Sequence, residues 1–216
     1  MIIAVDGPTA SGKGTIAKAL AAHFGLPHLD TGLLYRAVGR QVLLNGGNPD
    51  SAADALAACD FPGALLSDPE LRSEDTGGLA SRVSVHPEVR HALYERQRSF
   101  ATQPGGAVLD GRDIGTVIAP EAEAKLFVVA SISARAQRRY LEMTTAGRPA
   151  NRAEIEADLA ARDARDTARA AAPLIAATDA VVLDTSELGR DEAIAAAIAL
   201  VSEAMARPRF TARGSI

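Results

Sequence analysis

Hydrophobic and polar residues alternate along this chain in short blocks that switch between two periods. Ile2-Ile3-Ala4-Val5 is a β-branched apolar run closed by Asp6-Gly7-Pro8, the pattern of a buried strand stopped by a turn. From Lys13 to Phe24 the apolar positions Ile16, Ala17, Leu20 and Phe24 follow a helical period, and Gly25 stands where a helix C-cap belongs. The spacing predicts strand, glycine-rich loop, helix. Four more short strands are predicted at Pro27 to Asp30, Ala107 to Asp110, Lys125 to Ala130 and Ala180 to Asp184, with helical patterns between them. Strands alternating with helices imply an α/β fold, a five-stranded parallel sheet covered by helices.

The crossovers are unequal. More than 70 residues separate Asp30 from Ala107, too many for one helix, and they include a polar stretch around Phe61 to Gly78. An inserted lobe, about residues 31–103, is expected there. Arg135 to Ala172 is helix-forming, dense in Arg and Asp, and broken by Gly147-Arg148-Pro149, which suggests a hinged lid at about residues 138–158. The Ala-rich stretches at Ala52 to Ala58 and Ala193 to Ala199 predict plain helices, and the tail from Arg207 is expected to fray.

Composition narrows the chemistry. The chain has 216 residues, 47% hydrophobic and 23% charged, as expected of one ordinary globular domain. Net charge is −4, which argues against a general affinity for nucleic acid or an acidic membrane. The basic residues are lopsided: 20 are Arg and three are Lys (Lys13, Lys18, Lys125). Arg offers a fixed fork of donors that matches phosphate. Cys59 is the single cysteine, so no intrachain disulfide can form, and the four histidines have no zinc-ligand spacing with it. No metal bound by the protein alone is expected. Met1 is followed by only four apolar residues and no basic lead, so a cytoplasmic chain without signal or membrane segment is expected.

The strongest motif is Gly7-Pro8-Thr9-Ala10-Ser11-Gly12-Lys13-Gly14-Thr15, placed between strand and helix as a phosphate-binding loop requires. Glycines let successive N–H groups turn inward around a phosphate, the helix N-terminus adds partial positive charge, and the lysine reaches the β and γ phosphates. Gly14 stands where the general pattern has Ser or Thr, and the hydroxyl comes one residue later at Thr15. A phosphate loop says nucleotide and leaves the reaction open, since switches, motors and small-molecule kinases share it.

Further motifs decide. Gly12 to Thr15 followed by Asp30-Thr31-Gly32-Leu33-Leu34-Tyr35-Arg36 resembles the nucleoside monophosphate kinases. Asp110-Gly111-Arg112-Asp113-Ile114-Gly115-Thr116, then Arg162-Asp163-Ala164-Arg165-Asp166-Thr167-Ala168-Arg169 and Ala172-Pro173-Leu174, resemble the bacterial cytidylate kinases. The four motifs fall in family order over residues 7 to 174. The resemblance implies a P-loop kinase that moves the γ-phosphoryl of ATP, with Mg2+, onto CMP and dCMP, working as a monomer. It implies that Gly7 to Thr15 hold ATP. Thr31 and Tyr35 would line the acceptor site, and Arg36, Arg112 and Arg169 would hold the acceptor phosphate. Arg162 and Asp166 would meet the ribose, Arg162 also nearing the phosphates, while Ser81, Arg90 and Asp113 would read cytosine. Lys13, Arg112 and Arg162 are the expected catalytic residues.

Plainer readings compete. Arg162 lies four residues from both Asp158 and Asp166, the spacing of ion pairs on an exposed helix. Asp113 in a Gly-Arg-Asp turn could cap the residues after it, and Ser81 could bond locally. Arg96 and Arg98 read as solvated. Arg138, Arg139, Arg148 and Arg152 could close over the transferred group or be surface charge. Asp60 to Arg72 is shorter than the monophosphate lobe of many relatives, as if a hairpin were trimmed. The alternatives are a kinase for another acceptor, such as UMP or a small alcohol, and a nucleotide-binding module. A guanine-reading switch would need an Asn-Lys-x-Asp run, and the sequence has none.

Overall fold

The computed structural model describes residues 1–206. Five strands, β1 (Ile2–Asp6), β2 (His28–Asp30), β3 (Ala107–Gly111), β4 (Ala124–Val129) and β5 (Val181–Asp184), form one sheet in the order β2-β3-β1-β4-β5, every neighbouring pair parallel. All five expected strands are present, shifted at their ends by a residue or two. Both faces must therefore be covered. On one face Ile3, Val5, Val108, Leu126 and Val128 pack against α1 (Lys13–Phe24) and α8 (Arg190–Ala206) through Ile16, Leu20, Ala197 and Val201. On the other, Ile2, Ala4 and Leu109 meet Ala101 of α5 (Pro87–Ala101) and Ile114 and Ile118 of a π turn.

Gly25 ends α1 in the left-handed conformation at φ 65, as its place in the pattern predicts. The Ala-rich stretches fall in α3 (Ala52–Ala57) and α8. The tail from Arg207 lies outside the described residues.

The long first crossover carries its own apolar cluster. Leu34, Val38 and Val42 of α2 (Thr31–Leu44) pack on Ala55, Leu71, Val83, Val89 and Leu93, drawn from α3, α4 (Glu74–Val83), α5 and a short 3₁₀ turn. Residues 60–72 hold two 3₁₀ turns, Gly63–Ser67 and Pro69–Arg72, and no strand. The second crossover holds α6 (Ile132–Thr145) and α7 (Arg152–Ala168), with Gly147 at φ 70 between them.

β1 lies at the centre of the sheet, and its neighbours β3 and β4 run to opposite sides. A crevice opens outside the carboxyl ends of parallel strands at such a switch point. Asp6, Asp30 and Asp110 end or nearly end β1, β2 and β3, so three carboxylates reach that edge from the backbone geometry alone.

Candidate active site

A cleft of about 430 Å³ occupies this edge, a size that suits a nucleotide-scale ligand. Its floor is the loop after β1. Gly7 has φ 151, and a Cβ there would stand 2.1 Å from the carbonyl oxygen of Val128, so only glycine lets the loop leave the sheet so tightly. Ala10, at φ 62, takes a left-handed conformation that costs a non-glycine residue about 1–3 kcal/mol. Gly12 at φ 92 stands at the N-cap of α1. Alternation of this kind turns backbone N–H groups to one side, the concavity that binds anions.

Thr9, Ala10, Lys13 and Gly14 line the cleft, while Gly7 and Pro8 are buried beneath the loop. Burial, then the charge of Arg112, lowers the Lys13 ammonium to about 8, and Asp110, Asp30 and Asp166 oppose the shift. Ser11 is fully buried and its hydroxyl has no hydrogen-bond partner among the described residues. Ser11, Gly12 and Thr15 line a second hollow of about 400 Å³, with Ile16, Arg138, Thr185 and Leu188. Thr15 is thus not among the residues that line the first cleft with Asp30 and Asp110.

At the opposite end of the cleft, Arg90 on α5 pairs with Asp113 of the Gly-Arg-Asp turn, and both are buried. Asp113 does not cap the turn that follows it. Arg90 also lies over the ring of Tyr35, 5.6 Å from its centroid. Burial would lower the Arg90 guanidinium, yet Tyr35 and Asp113 hold it above its ordinary value. Tyr35 is buried, its hydroxyl pushed up by that burial, and it takes a side-chain hydrogen bond from Gln97. Ser81 lines the same end, where its hydroxyl accepts from Arg165 at 3.2 Å across 84 residues of sequence, so it is no local bonder. Asp30 caps α2 by accepting from the N–H of Leu33 at 3.2 Å, and Thr31 donates to the carbonyl of Asp110 at 2.8 Å.

Arginines fill the middle. Arg112 donates to Asp166 at 2.8 Å and to the Thr9 hydroxyl at 2.6 Å. Burial would raise Asp166, but Arg112, Arg169 and Arg162 hold it below the usual carboxylate range. Arg162 donates to the carbonyl of Gly77 at 3.1 Å and lies 3.7 Å from Glu74. Burial and the nearby charges of Arg112 and Arg36 lower it to about 10. Arg36 donates to the carbonyls of Leu71 and Ser73, both at 2.8 Å, and Arg169 to the Ser84 hydroxyl at 3.3 Å. The helical spacing of Arg162 and Asp166 thus reflects partners on other elements, and the reading of an exposed helix laced with ion pairs gives way to a buried constellation.

Of Arg138, Arg139, Arg148 and Arg152, Arg139 alone lines the cleft, paired with Glu74. Arg138 instead donates to Thr185 Oγ1 at 3.1 Å, and Arg152 to the Ser133 hydroxyl at 2.7 Å. Arg148 is exposed. Arg98 is not merely solvated, since it donates to the carbonyl of Ile118 at 3.0 Å and pairs with Glu121. Sequence reasoning missed Glu74, Ser84 and Asp158, which also line the cleft. Glu74 sits among arginines of other elements, a placement with no sequence signal.

No group of three or more His, Cys, Asp or Glu side chains among the described residues could hold a metal by itself, and no described helix is long and apolar enough to cross a membrane.

Comparison with known proteins agrees with this geometry. The family model described as cytidylate kinase matches residues 3–203. A cytidylate kinase of Xanthobacter autotrophicus is 56% identical over 201 residues, covering 93% of this chain and 97% of that one. One of Methylocella silvestris is 55% identical over 210 residues, covering 94% and 95%. In fold alone, the crystal structure of an uncharacterized protein from Eubacterium ventriosum is similar at a TM-score of 0.57 and 16% identity, covering 94% of this chain and 98% of the other. With matches that run almost from end to end, through the phosphate loop, the Gly-Arg-Asp turn and the arginine-rich helix alike, the chain belongs to the cytidylate kinase family.

Proposed function

We propose that this chain transfers the γ-phosphoryl group of ATP to CMP, and likewise to dCMP, releasing ADP and the cytidine diphosphate. The observation that carries the reading is one cleft with the Lys13 phosphate loop at one end and the buried Arg90–Asp113 pair at the other, with Arg112 and Arg162 between. Donor phosphates fit the loop and a base with one amino donor and one carbonyl fits the pair.

The transfer is in line, between two oxygens held by the two ends of the cleft. Its transition state spreads negative charge over the moving group, so catalysis consists of positioning and electrostatic stabilisation. Lys13, Arg112 and Arg162 supply the positive charge as catalytic residues. The low values of Lys13 and Arg162 follow from burial without an anion. Bound phosphates would raise both, which favours nucleotide binding through the same charges. Thr31 and Tyr35 line the acceptor, Arg36, Arg112 and Arg169 take its phosphate, and Asp166 with Arg162 takes the ribose. Ser81, Arg90 and Asp113 read the base. The acceptor is a phosphate monoester with a second pKa of about 6, already an anionic nucleophile at neutral pH, so no general base is needed.

The residues present fit a magnesium ion. A Cβ added at Gly14 would stand in ordinary contact, 3.6 Å, with Asp110 Oδ2, so that oxygen faces the loop, while Oδ1 is held by His28 at 2.7 Å. Carboxylate oxygens are the donors magnesium takes, usually one or two of them with phosphates and water completing the shell. Asp110 and Asp30, which line the cleft, would hold it, and Thr15, which lines the second hollow instead, would not. When bound, the ion neutralises charge on the β and γ phosphates.

Residues 31–103 and 138–158 are proposed as lobe and lid that close over the sheet and exclude water. The chain is proposed to act as a cytoplasmic monomer without nucleic-acid or membrane partners. The test is ADP release from Mg·ATP with CMP, dCMP, UMP, AMP, GMP and small alcohols in turn. CMP and dCMP should lead. UMP or AMP equal to CMP would overturn the reading.

A further inference from the structure

Thr9 of the phosphate loop is tied to α7 twice, by two arginines that reach it from different elements. Its hydroxyl accepts from Arg112, which donates onward to Asp166. Its carbonyl accepts from Arg135 of α6 at 3.1 Å, and Arg135 grips Asp163 with two parallel bonds of 3.1 and 2.5 Å. Asp163 and Asp166 are three residues apart and so lie on one face of α7. The first tie runs through groups that line the cleft. The second does not, because neither Arg135 nor Asp163 lines it.

Arg135 has little freedom. Its side chain is 4% exposed, and its third nitrogen donates to the carbonyl of Ala130 at 2.9 Å. A guanidinium buried in this way stays charged, so any acceptor that moves away leaves an uncompensated charge in the interior. Two of those acceptors belong to different elements: Thr9 to the loop proposed to take the donor phosphates, and Asp163 to the helix that carries Arg162 and Asp166 into the cleft. A shift of the loop at Thr9 must be followed by Arg135 and then by α7, or a charged bond is lost in the interior. The fork of Arg135 suits the task, since its bidentate grip fixes direction as well as distance.

We propose that Arg135 and Asp163 are positioning residues that couple the two nucleotide sites, so that donor phosphates settling on the loop at Thr9 set the pitch of α7 and with it the acceptor-facing Arg162 and Asp166. This rests on the assignment of the two ends of the cleft made above. Coupling of this kind is reciprocal: each nucleotide tightens the other by the same factor.

Two variants test it without removing a nucleotide contact, Asp163→Asn and Arg135→Lys. Dissociation constants for CMP are measured by calorimetry with and without a saturating non-hydrolysable ATP analogue and magnesium, and those for the analogue with and without CMP. Folding of each variant is checked by near-ultraviolet circular dichroism. In the wild type each ligand should tighten the other about fivefold or more, the lower end of ordinary coupling between sites. In both variants that factor should fall below about twofold while the affinity for each ligand alone stays within about threefold, the signature of a lost linkage rather than a lost contact. Undiminished coupling in folded variants would overturn the proposal. So would single-ligand affinities that collapse for both nucleotides, or failure of both variants to fold, because the pair would then simply hold the structure together. A wild type that binds both nucleotides without coupling refutes this proposal alone, whereas one that does not bind CMP refutes the functional reading beneath it.

Discussion

The carboxylate of Asp6, at the end of the central strand, accepts the backbone N–H of Gly115 at 2.8 Å, across 109 positions of sequence. Its other oxygen accepts from Ile114 at 2.8 Å. The residue directly before this anchor is Asp113, so the strand that launches the phosphate loop also holds the turn proposed to read the base. Asp6 is 5% exposed and has no ion-pair partner among the described residues.

Burial raises the Asp6 carboxyl from 3.8 to about 7, against the two backbone hydrogen bonds that lower it. A native pKa above the unfolded one means that the folded state holds the extra proton between those values, so stability falls as pH rises from about 4 to about 7. The full effect is on the order of 4 kcal/mol. Urea unfolding across this range, on wild type and Asp6→Asn, should show the wild type losing stability relative to the variant up to about pH 7 and running parallel to it beyond. A constant difference from pH 4 to 8 would mean that Asp6 stays ionised throughout.

Lys13 carries the opposite linkage. Its native pKa of about 8 lies below the ordinary 10.5, so the buried ammonium costs stability below pH 8, and that cost fades as pH rises toward 10.5. Lys13→Met keeps the stem and removes the charge. Turnover should fall by about 10² to 10³ or more, since the charge meets the phosphates as the transition state develops. The unliganded variant should nonetheless melt higher at pH 7, by roughly 2 to 4 °C for each kcal/mol relieved. Calorimetric scans and initial rates on the same samples check both halves. Unchanged turnover would remove Lys13 from the chemistry.

Gly39 lets α2 and α4 touch. A Cβ there would lie 2.7 Å from Leu79 Cβ and 3.1 Å from the Leu79 carbonyl carbon, with backbone that has nowhere to go. Gly39→Ala should cost about 1–3 kcal/mol by overpacking. Because α4 carries Ser81 into the cleft, CMP affinity should fall while affinity for an ATP analogue alone stays unchanged. Titration of each ligand separates the two, and an equal loss for both would mean that the strain spreads through the sheet.

Much of this was legible in the sequence, for reasons that are themselves physical. Most of the strands announce themselves because a sheet covered on both faces needs short, mainly apolar runs, and α1 because one face of it is buried. Gly7 and Gly12 mark the loop because no other residue takes those conformations without strain. What the pattern hides is pairing between elements. Nothing local says that Arg135 grips Asp163 28 positions on, that Asp166 turns to Arg112 rather than to Arg162 on its own helix, or that Glu74 stands between Arg139 and Arg162. Nor does a strand-ending Asp6 look different from a turn residue. Sheet order is equally silent, since any two of these runs could lie side by side.

In the proposed reading, the choice of base turns on the pairing of Arg90 with Asp113. Cytosine presents an exocyclic amino donor where uracil presents a carbonyl, and a carboxylate accepts from that amine. In the structure the Asp113 carboxylate already neutralises the buried Arg90, whose guanidinium is in turn held over Tyr35. A base entering here must share the carboxylate with Arg90, offering its amine to Asp113 while its carbonyl and ring nitrogen take donors from Arg90. Cytosine satisfies both partners. Uracil would set a carbonyl against the carboxylate, leaving a buried acceptor unpaired, which a site of this kind rejects strongly. Asp113→Asn keeps the shape but exchanges a pure acceptor for a group that can also donate, and it leaves Arg90 charged without its counterion. Breaking a buried pair by removing one partner costs about 3–5 kcal/mol, so the variant should unfold at lower urea as well as lose CMP activity. Discrimination should fall by roughly 1 to 3 kcal/mol if one base contact carries the choice. Steady-state constants for CMP and UMP on wild type and variant, taken well below the variant's melting temperature, decide it. A CMP-to-UMP ratio that stays fixed while both rates fall would mean that Asp113 serves only to hold Arg90, and that cytosine is read by Arg90 and Ser81.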